Sequence, residues 1–165
     1  LGGYGPWDGR RALPWLGALG PLGCEAVEMT ESWRGIVGPW QDEPDTLDFE
    51  AYALPCRVRR QSFGHLCGYV GVPKTHGLYG SSYADVDLEV HGGLTFSQKW
   101  VGEGDEFWWF GFDCAHSSDV IPEWVSRGLY SSSHYSCYRT IAYVERQTRE
   151  LAQQLSTENG YVWEK

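Results

Sequence analysis

The sequence predicts an α+β fold: a small, mainly antiparallel sheet of about five strands with one long C-terminal helix packed on it. Three observations carry that expectation. Short apolar runs rich in Val, Tyr and Phe recur between residues 54 and 113, bounded by Gly-containing turns, as hairpin-connected strands are. One stretch, "VDLEVH" at residues 86–91, alternates strictly between apolar and polar side chains, the period of a half-buried strand. Near the C-terminus, Ile141, Val144, Leu151 and Leu155 fall on one helical stripe, with Glu145 and Arg149 forming an i,i+4 pair on another face.

The elements follow in order. Residues 1–28 hold seven Gly and three Pro, a composition that suits neither a continuous helix nor a strand. The chain begins with Leu, and its single Met is Met29, so residues 1–28 are expected to be an extension ahead of a single domain spanning residues 29–165. "PWQDEP" (39–44) reads as a polar turn with a Trp anchor, and 47–53 is open between helix and strand. "CRVRRQ" (56–61) and "HLCGYVGV" (65–72) flank an "SFG" turn and predict a hairpin, which Pro73 ends because it cannot donate to a ladder. Residues 73–85, "PKTHGLYGSSYAD", form a long polar loop of a length that is often functional. Val86, Leu88 and Val90 then face inward on a strand that turns at Gly92-Gly93 into "LTFSQKW", a second expected hairpin. "EFWWFGFD" (106–113) is a central strand with Trp108, Phe110 and Phe112 on one face and Phe107, Trp109, Gly111 and Asp113 on the other. A loop at 126–136 leads to the helix, expected from Cys137 to Leu155, with a turn at Asn159-Gly160.

Bulk properties exclude several function classes. The formal charge of −9 argues against a partner such as long DNA or RNA, whose affinity comes largely from Lys and Arg neutralising phosphates. A small nucleotide stays allowed, because a few local donors suffice to hold it. No stretch approaches the roughly 18 apolar residues of a membrane span. Neither a basic leader with an apolar core nor a C-x-x-C pair occurs, so the five cysteines are expected to be reduced thiols in a cytoplasmic setting. Nine Trp and ten Tyr among 165 residues supply more ring surface than most cores need, and part of it is expected to stack on a ligand.

Two chemistries compete for the polar residues. His65-Leu66-Cys67 and Cys114-Ala115-His116 offer mirrored H-x-C and C-x-H pairs, but their spacing is not that of a zinc module, and no metal ligand is assigned. The stronger constellation is acids with histidines. Asp87, Glu89 and His91 share the polar face of one strand, and Asp113, His116 and Asp119 lie at the end of another. If the strands are neighbours, His91 and His116 flank one cleft with Asp partners to orient them, Asp87 or Asp119 where the two histidines act as acid and base. Such a set serves general acid and base chemistry on a phosphodiester, and with a divalent ion it can assist hydrolysis. The opposing reading is structural, with Gly92-Gly93 needed for a reversed backbone and Asp113 closing a turn with Ser117 or Ser118. For a binding module, Tyr79, Tyr83, Trp108, Trp109, Tyr130 and Tyr135 supply ring faces, while His76, His91, His116, Arg57 and Arg139 supply donors.

The motifs "GYVGVPKTHGLYG" (68–80), "YADVD" (83–87), "VHGGLTF" (90–96) and "WWFGFDCAH" (108–116) together resemble an uncharacterised family of small proteins found largely in bacteriophages and prophage-bearing bacteria. The resemblance covers nearly everything from Gly38 to Leu155. Gly77 stands where the family pattern has Pro. Carried over by motif, the resemblance points to His76, Tyr79, Tyr83, Asp85, Asp87, His91, Asp113, His116 and Asp119. The resemblance supplies no established activity; the phage origin it implies suggests, by analogy with small phage proteins that interfere with host immunity, a role such as sequestering or cleaving a nucleotide second messenger. The expectation is therefore a binder of a small, nucleotide-like ligand, with His91, His116, Asp113 and Asp119 at its polar centre and His76, Tyr79, Tyr83, Asp85, Asp87 and Trp109 around it. A phosphodiester hydrolase using paired His and Asp is the alternative. A structural or protein-interaction factor, homo-oligomeric assembly included, is a third, and no cofactor can be named.

Overall fold

The computed structural model of the protein describes residues 32–100, 106–129 and 136–158. The expected N-terminal extension, the Tyr130 and Tyr135 loop and the Asn159-Gly160 turn lie outside the described residues.

Five strands, β1 (Thr46–Ala51), β2 (Leu54–Arg60), β3 (Leu66–Pro73), β4 (Phe96–Gln98) and β5 (Phe107–Asp113), form one antiparallel sheet in the order β1-β2-β3-β5-β4. A short helix α1 (Pro122–Ser126) and the long α2 (Ile141–Glu158) complete the architecture. The α+β expectation of five strands and one long C-terminal helix therefore holds. The ambiguous segment after Asp45 is β1, which turns through Tyr52 and Ala53, both at positive φ. The β2–β3 hairpin forms as expected: Gly64 takes φ +89, and the Gln61 amide donates to the His65 carbonyl at 2.8 Å.

Helix α2 lies across one sheet face because its stripe has a surface to bury. Val144, Leu151 and Leu155 are fully buried against Val58, Leu66, Val70, Phe110 and Phe112, each such burial being worth about 1.5–3 kcal/mol. Thr148 completes the stripe, its hydroxyl donating back to the Val144 carbonyl at 2.7 Å. The helix begins at Ile141 and not at Cys137. Cys137 is bridged in parallel to Asp119, while Thr140 Oγ1 accepts from the Tyr143 amide and Glu43 accepts from the Ile141 amide at 2.8 Å, capping the helix there. Glu43 also takes the Arg60 guanidinium and the Tyr138 hydroxyl, tying the helix start to β2.

Gly68 sits where β3 passes beneath α2. A Cβ there would collide with Thr148 Oγ1 and the Phe112 ring, so Gly68→Ala is expected to destabilise the fold by about 1–3 kcal/mol through overpacking, read as a lower urea midpoint.

The second predicted hairpin does not form. Residues 86–90 form no strand and pair with none among the described residues, and β4 pairs with β5 instead. Val86, Leu88 and Val90 still pack on the core, so the alternation reported the inward face correctly. The backbone partner is α2: Gln154 accepts from the Glu89 amide at 2.9 Å and donates to the Glu89 carbonyl at 2.8 Å, and Gln147 accepts from the His91 amide at 2.9 Å. These side chains supply what a neighbouring strand would have supplied.

The other sheet face carries Tyr69, Trp109, Phe96, Trp100 and Phe107, with Arg57 over the Trp109 ring at 4.2 Å. Much of the aromatic excess is spent there and in the core. Burial pushes the Cys56 and Cys67 thiols up to about 11 and about 12, as expected of small buried hydrophobes. Among the described residues no helix is long and apolar enough to cross a membrane.

Candidate functional site

The chain leaves β5 at Asp113, whose Oδ1 accepts from the Ala115 amide at 3.0 Å, an Asx turn that redirects the backbone. Residues 116–119 then form a tight turn, closed by the Asp119 amide donating to the His116 carbonyl at 2.9 Å. The turn folds the Asp119 carboxylate back to accept from the His116 amide at 3.0 Å. On the other side, the segment 86–90 ends in a turn at Gly92 and Gly93, with φ +68 and +87, and delivers His91 to the same place.

His91 meets His116. Their ring centroids are 5.2 Å apart at an interplanar angle of 77°. Both rings reach one oxygen: His91 Nε2 lies 2.8 Å and His116 Nδ1 3.3 Å from Asp119 Oδ2. The other oxygen, Oδ1, accepts from Arg139 Nε at 2.7 Å. Burial by itself would raise the Asp119 carboxyl, but the bonds from Arg139, His91 and the His116 amide outweigh it and hold the group below the usual carboxylate range. Ionised, it is an acceptor only, so both imidazoles donate to it. His91 Nδ1 is 3.0 Å from the Tyr143 hydroxyl, and so both its ring nitrogens are engaged. His116 Nε2 has no partner among the described residues, and its side chain is 33% exposed while that of Asp119 is 0%.

Gly92 is indispensable to this packing. The His116 ring occupies the space that a Cβ on Gly92 would need, so the glycine serves both the reversed backbone and the approach of the second histidine.

The remaining expected residues are elsewhere. Asp113 points to the opposite sheet face, where with Gln61, Phe63, His65, Tyr69, Thr95, Phe96 and Ala115 it lines an open cleft of about 440 Å³. His65 Nδ1 is buried there with no hydrogen-bond partner among the described residues, and burial lowers the His65 pKa against the pull of Asp113 and Asp119. His76 is buried and holds the 73–82 loop to the end of α2: its Nδ1 accepts from the Leu78 amide at 3.1 Å, so Nε2 donates to the Leu155 carbonyl at 2.8 Å. Tyr79 packs near Trp108 with centroids 6.0 Å apart, Tyr83 and Asp85 occupy an exposed helical turn, Asp87 is exposed, and Trp109 is buried beneath Arg57. The four residues of the mirrored Cys/His pairs do not assemble: Cys114 belongs to the helix-side core and Cys67 to the opposite cluster.

Tyr143 and Gln147 are the partners that sequence reasoning missed, and Arg139 entered it only as one of several donors. Their signal was spacing: Arg139, Tyr143 and Gln147 recur every four residues, a polar stripe beside the apolar one.

Fold and site together define a small α+β domain whose sheet end carries a His–Asp–His cluster backed by an arginine. Comparison of the chain with family models, curated proteins and solved structures finds no match. Its function is therefore argued from the cluster's own chemistry.

Proposed function

We propose that the domain binds a small nucleotide-like ligand, with the phosphate received by His116 and Arg139. The observation that carries this reading is the buried Asp119 carboxylate, which holds His116 by Nδ1 and Arg139 by Nε and leaves the guanidinium end to donate to an anion, joined by His116 Nε2 when that ring takes up a second proton with the phosphate. In a chain of formal charge −9, that is a local cationic notch suited to one phosphate and unsuited to a long polyanion. The cleft on the opposite sheet face, which reaches within one residue of the cluster along the chain, supports the nucleotide part. Its wall includes Ala115, one residue from His116, along with the rings of Phe63, Tyr69 and Phe96 and the unpartnered His65 Nδ1. Such walls stack a base, and a buried nitrogen without a partner gains from a ligand hydrogen bond.

Binding without turnover is favoured over phosphodiester hydrolysis because His91 has both ring nitrogens engaged, which leaves one histidine where a paired acid and base need two. A phage-type protein that sequesters a nucleotide signal of host immunity is the biological role proposed for such a binder.

The test incubates the protein with a panel of cyclic mono- and dinucleotides, measures thermal shift, then denatures it and analyses what is released. Intact nucleotide is expected, and His116→Ala or Arg139→Ala is expected to weaken binding about tenfold to a hundredfold, the loss of one charge-assisted hydrogen bond of about 1.5–3 kcal/mol. Released product would establish the hydrolase instead, and no shift with any nucleotide would overturn the ligand reading.

A further inference from the structure

Three donors crowd one carboxylate oxygen. Asp119 Oδ2 faces His91 Nε2 at 2.8 Å, the His116 amide at 3.0 Å and His116 Nδ1 at 3.3 Å, one more N–H than its two lone pairs accept well. The longest of the three contacts belongs to the more exposed ring.

We propose that His91, His116 and Asp119 form a binding site for one divalent transition-metal ion of the zinc class. The ligand atoms all lie within 4.8 Å of one another. A tetrahedral ion with bonds of about 2.0–2.1 Å sets its ligands about 3.4 Å apart, so the two short edges of this triangle need to open by only about half an ångström or less. With the ion in place, Oδ2 keeps two partners, the metal and the His116 amide, for its two lone pairs.

The proton balance closes without an added reactant. In the metal-free cluster each neutral imidazole donates from the nitrogen that faces Asp119. Metal binding moves that proton to the opposite nitrogen: His91 then donates from Nδ1 to the Tyr143 oxygen, and His116 carries its proton on Nε2, facing outward. No bond other than N–H is broken, and no proton leaves a neutral pair.

The surroundings orient these ligands as outer partners of metal sites do. Tyr143 takes the far nitrogen of His91, Gln147 holds the His91 amide, Arg139 holds the far oxygen of Asp119, and Gly92 gives His116 its room. Two imidazoles and a carboxylate, with no thiolate, suit Zn²⁺, Mn²⁺ or Fe²⁺, and three protein ligands leave a fourth position open. The inference stands on this triangle alone and does not depend on the nucleotide reading. A metal-bound His116 would present an outward N–H to a phosphate.

The test uses the full chain, stripped with a chelator and dialysed. It is titrated with zinc chloride by calorimetry and separately with Co²⁺ while visible absorption is recorded, with no nucleotide present. One ion per chain is expected, with the ligand-field band of low-coordinate Co²⁺. His116→Ala, whose side chain is partly exposed and whose loss should be tolerated, is expected to lower zinc affinity at least tenfold and abolish the band. Tyr143→Phe is expected to weaken binding while keeping the band. Absence of a band in the wild type, or zinc affinity equal in the wild type and His116→Ala, would show adsorption to the acidic surface and overturn the site. Nucleotide binding by chelator-stripped protein is a separate measurement, so either idea can fail without the other.

Discussion

Asp119→Ala is expected to lower the unfolding free energy by about 3 kcal/mol, seen as a reduced urea midpoint with an unchanged slope. The side chain is fully buried and serves His91, His116, the His116 amide and Arg139 at once. Its removal leaves the Arg139 cation without its counter-ion and several N–H groups without an acceptor, which costs more than any one of those bonds contributes. Asp119→Asn is expected to recover little of the loss, because its amide nitrogen would present a donor to donors. A variant as stable as the wild type would mean that water replaces the carboxylate, and the cluster would no longer account for the path of residues 114–120.

Gly92→Ala is expected to remove ligand binding at the site while the fold persists. At φ +68 an alanine costs about 1–2 kcal/mol, and its Cβ would also displace the His116 imidazole. Gly93→Ala is the control. It has φ +87 but open space around the added carbon, so it carries the backbone strain without the collision. Loss of nucleotide or zinc affinity in Gly92→Ala together with retention in Gly93→Ala would assign the effect to His116. Equal losses in both would trace it to the turn, and the second role given to Gly92 would fall.

The candidate site was partly legible before any tertiary structure. The sequence places His91 and His116 at expected strand ends, and they do meet. Between Asp113 and Asp119, both expected at the polar centre of the site, parity already held an answer. Asp113 shares a strand face with Trp109 and Gly111, away from the helix, so its side chain leaves toward the open cleft, whereas Asp119 is carried back by a turn with no fixed parity. His76 illustrates the opposite limit. A histidine in a polar loop looked like a ligand group, yet it is buried as a pin between that loop and the end of α2, which only the packing of two distant segments could disclose.

By itself the sequence determined the α+β class, the inward faces of β5 and of residues 86–90, and the apolar stripe of α2, because local periodicity records which side chains leave water. Tertiary structure alone decided that residues 86–90 bond to Gln147 and Gln154 in place of a strand, that Asp119 and not Asp113 joins the histidines, and that Arg139 and Tyr143 close the cluster. These contacts join groups 28, 20 and 52 residues apart. Their closure entropy is met by the whole core, and a periodic pattern carries no record of which distant segment will satisfy a given backbone or side-chain group.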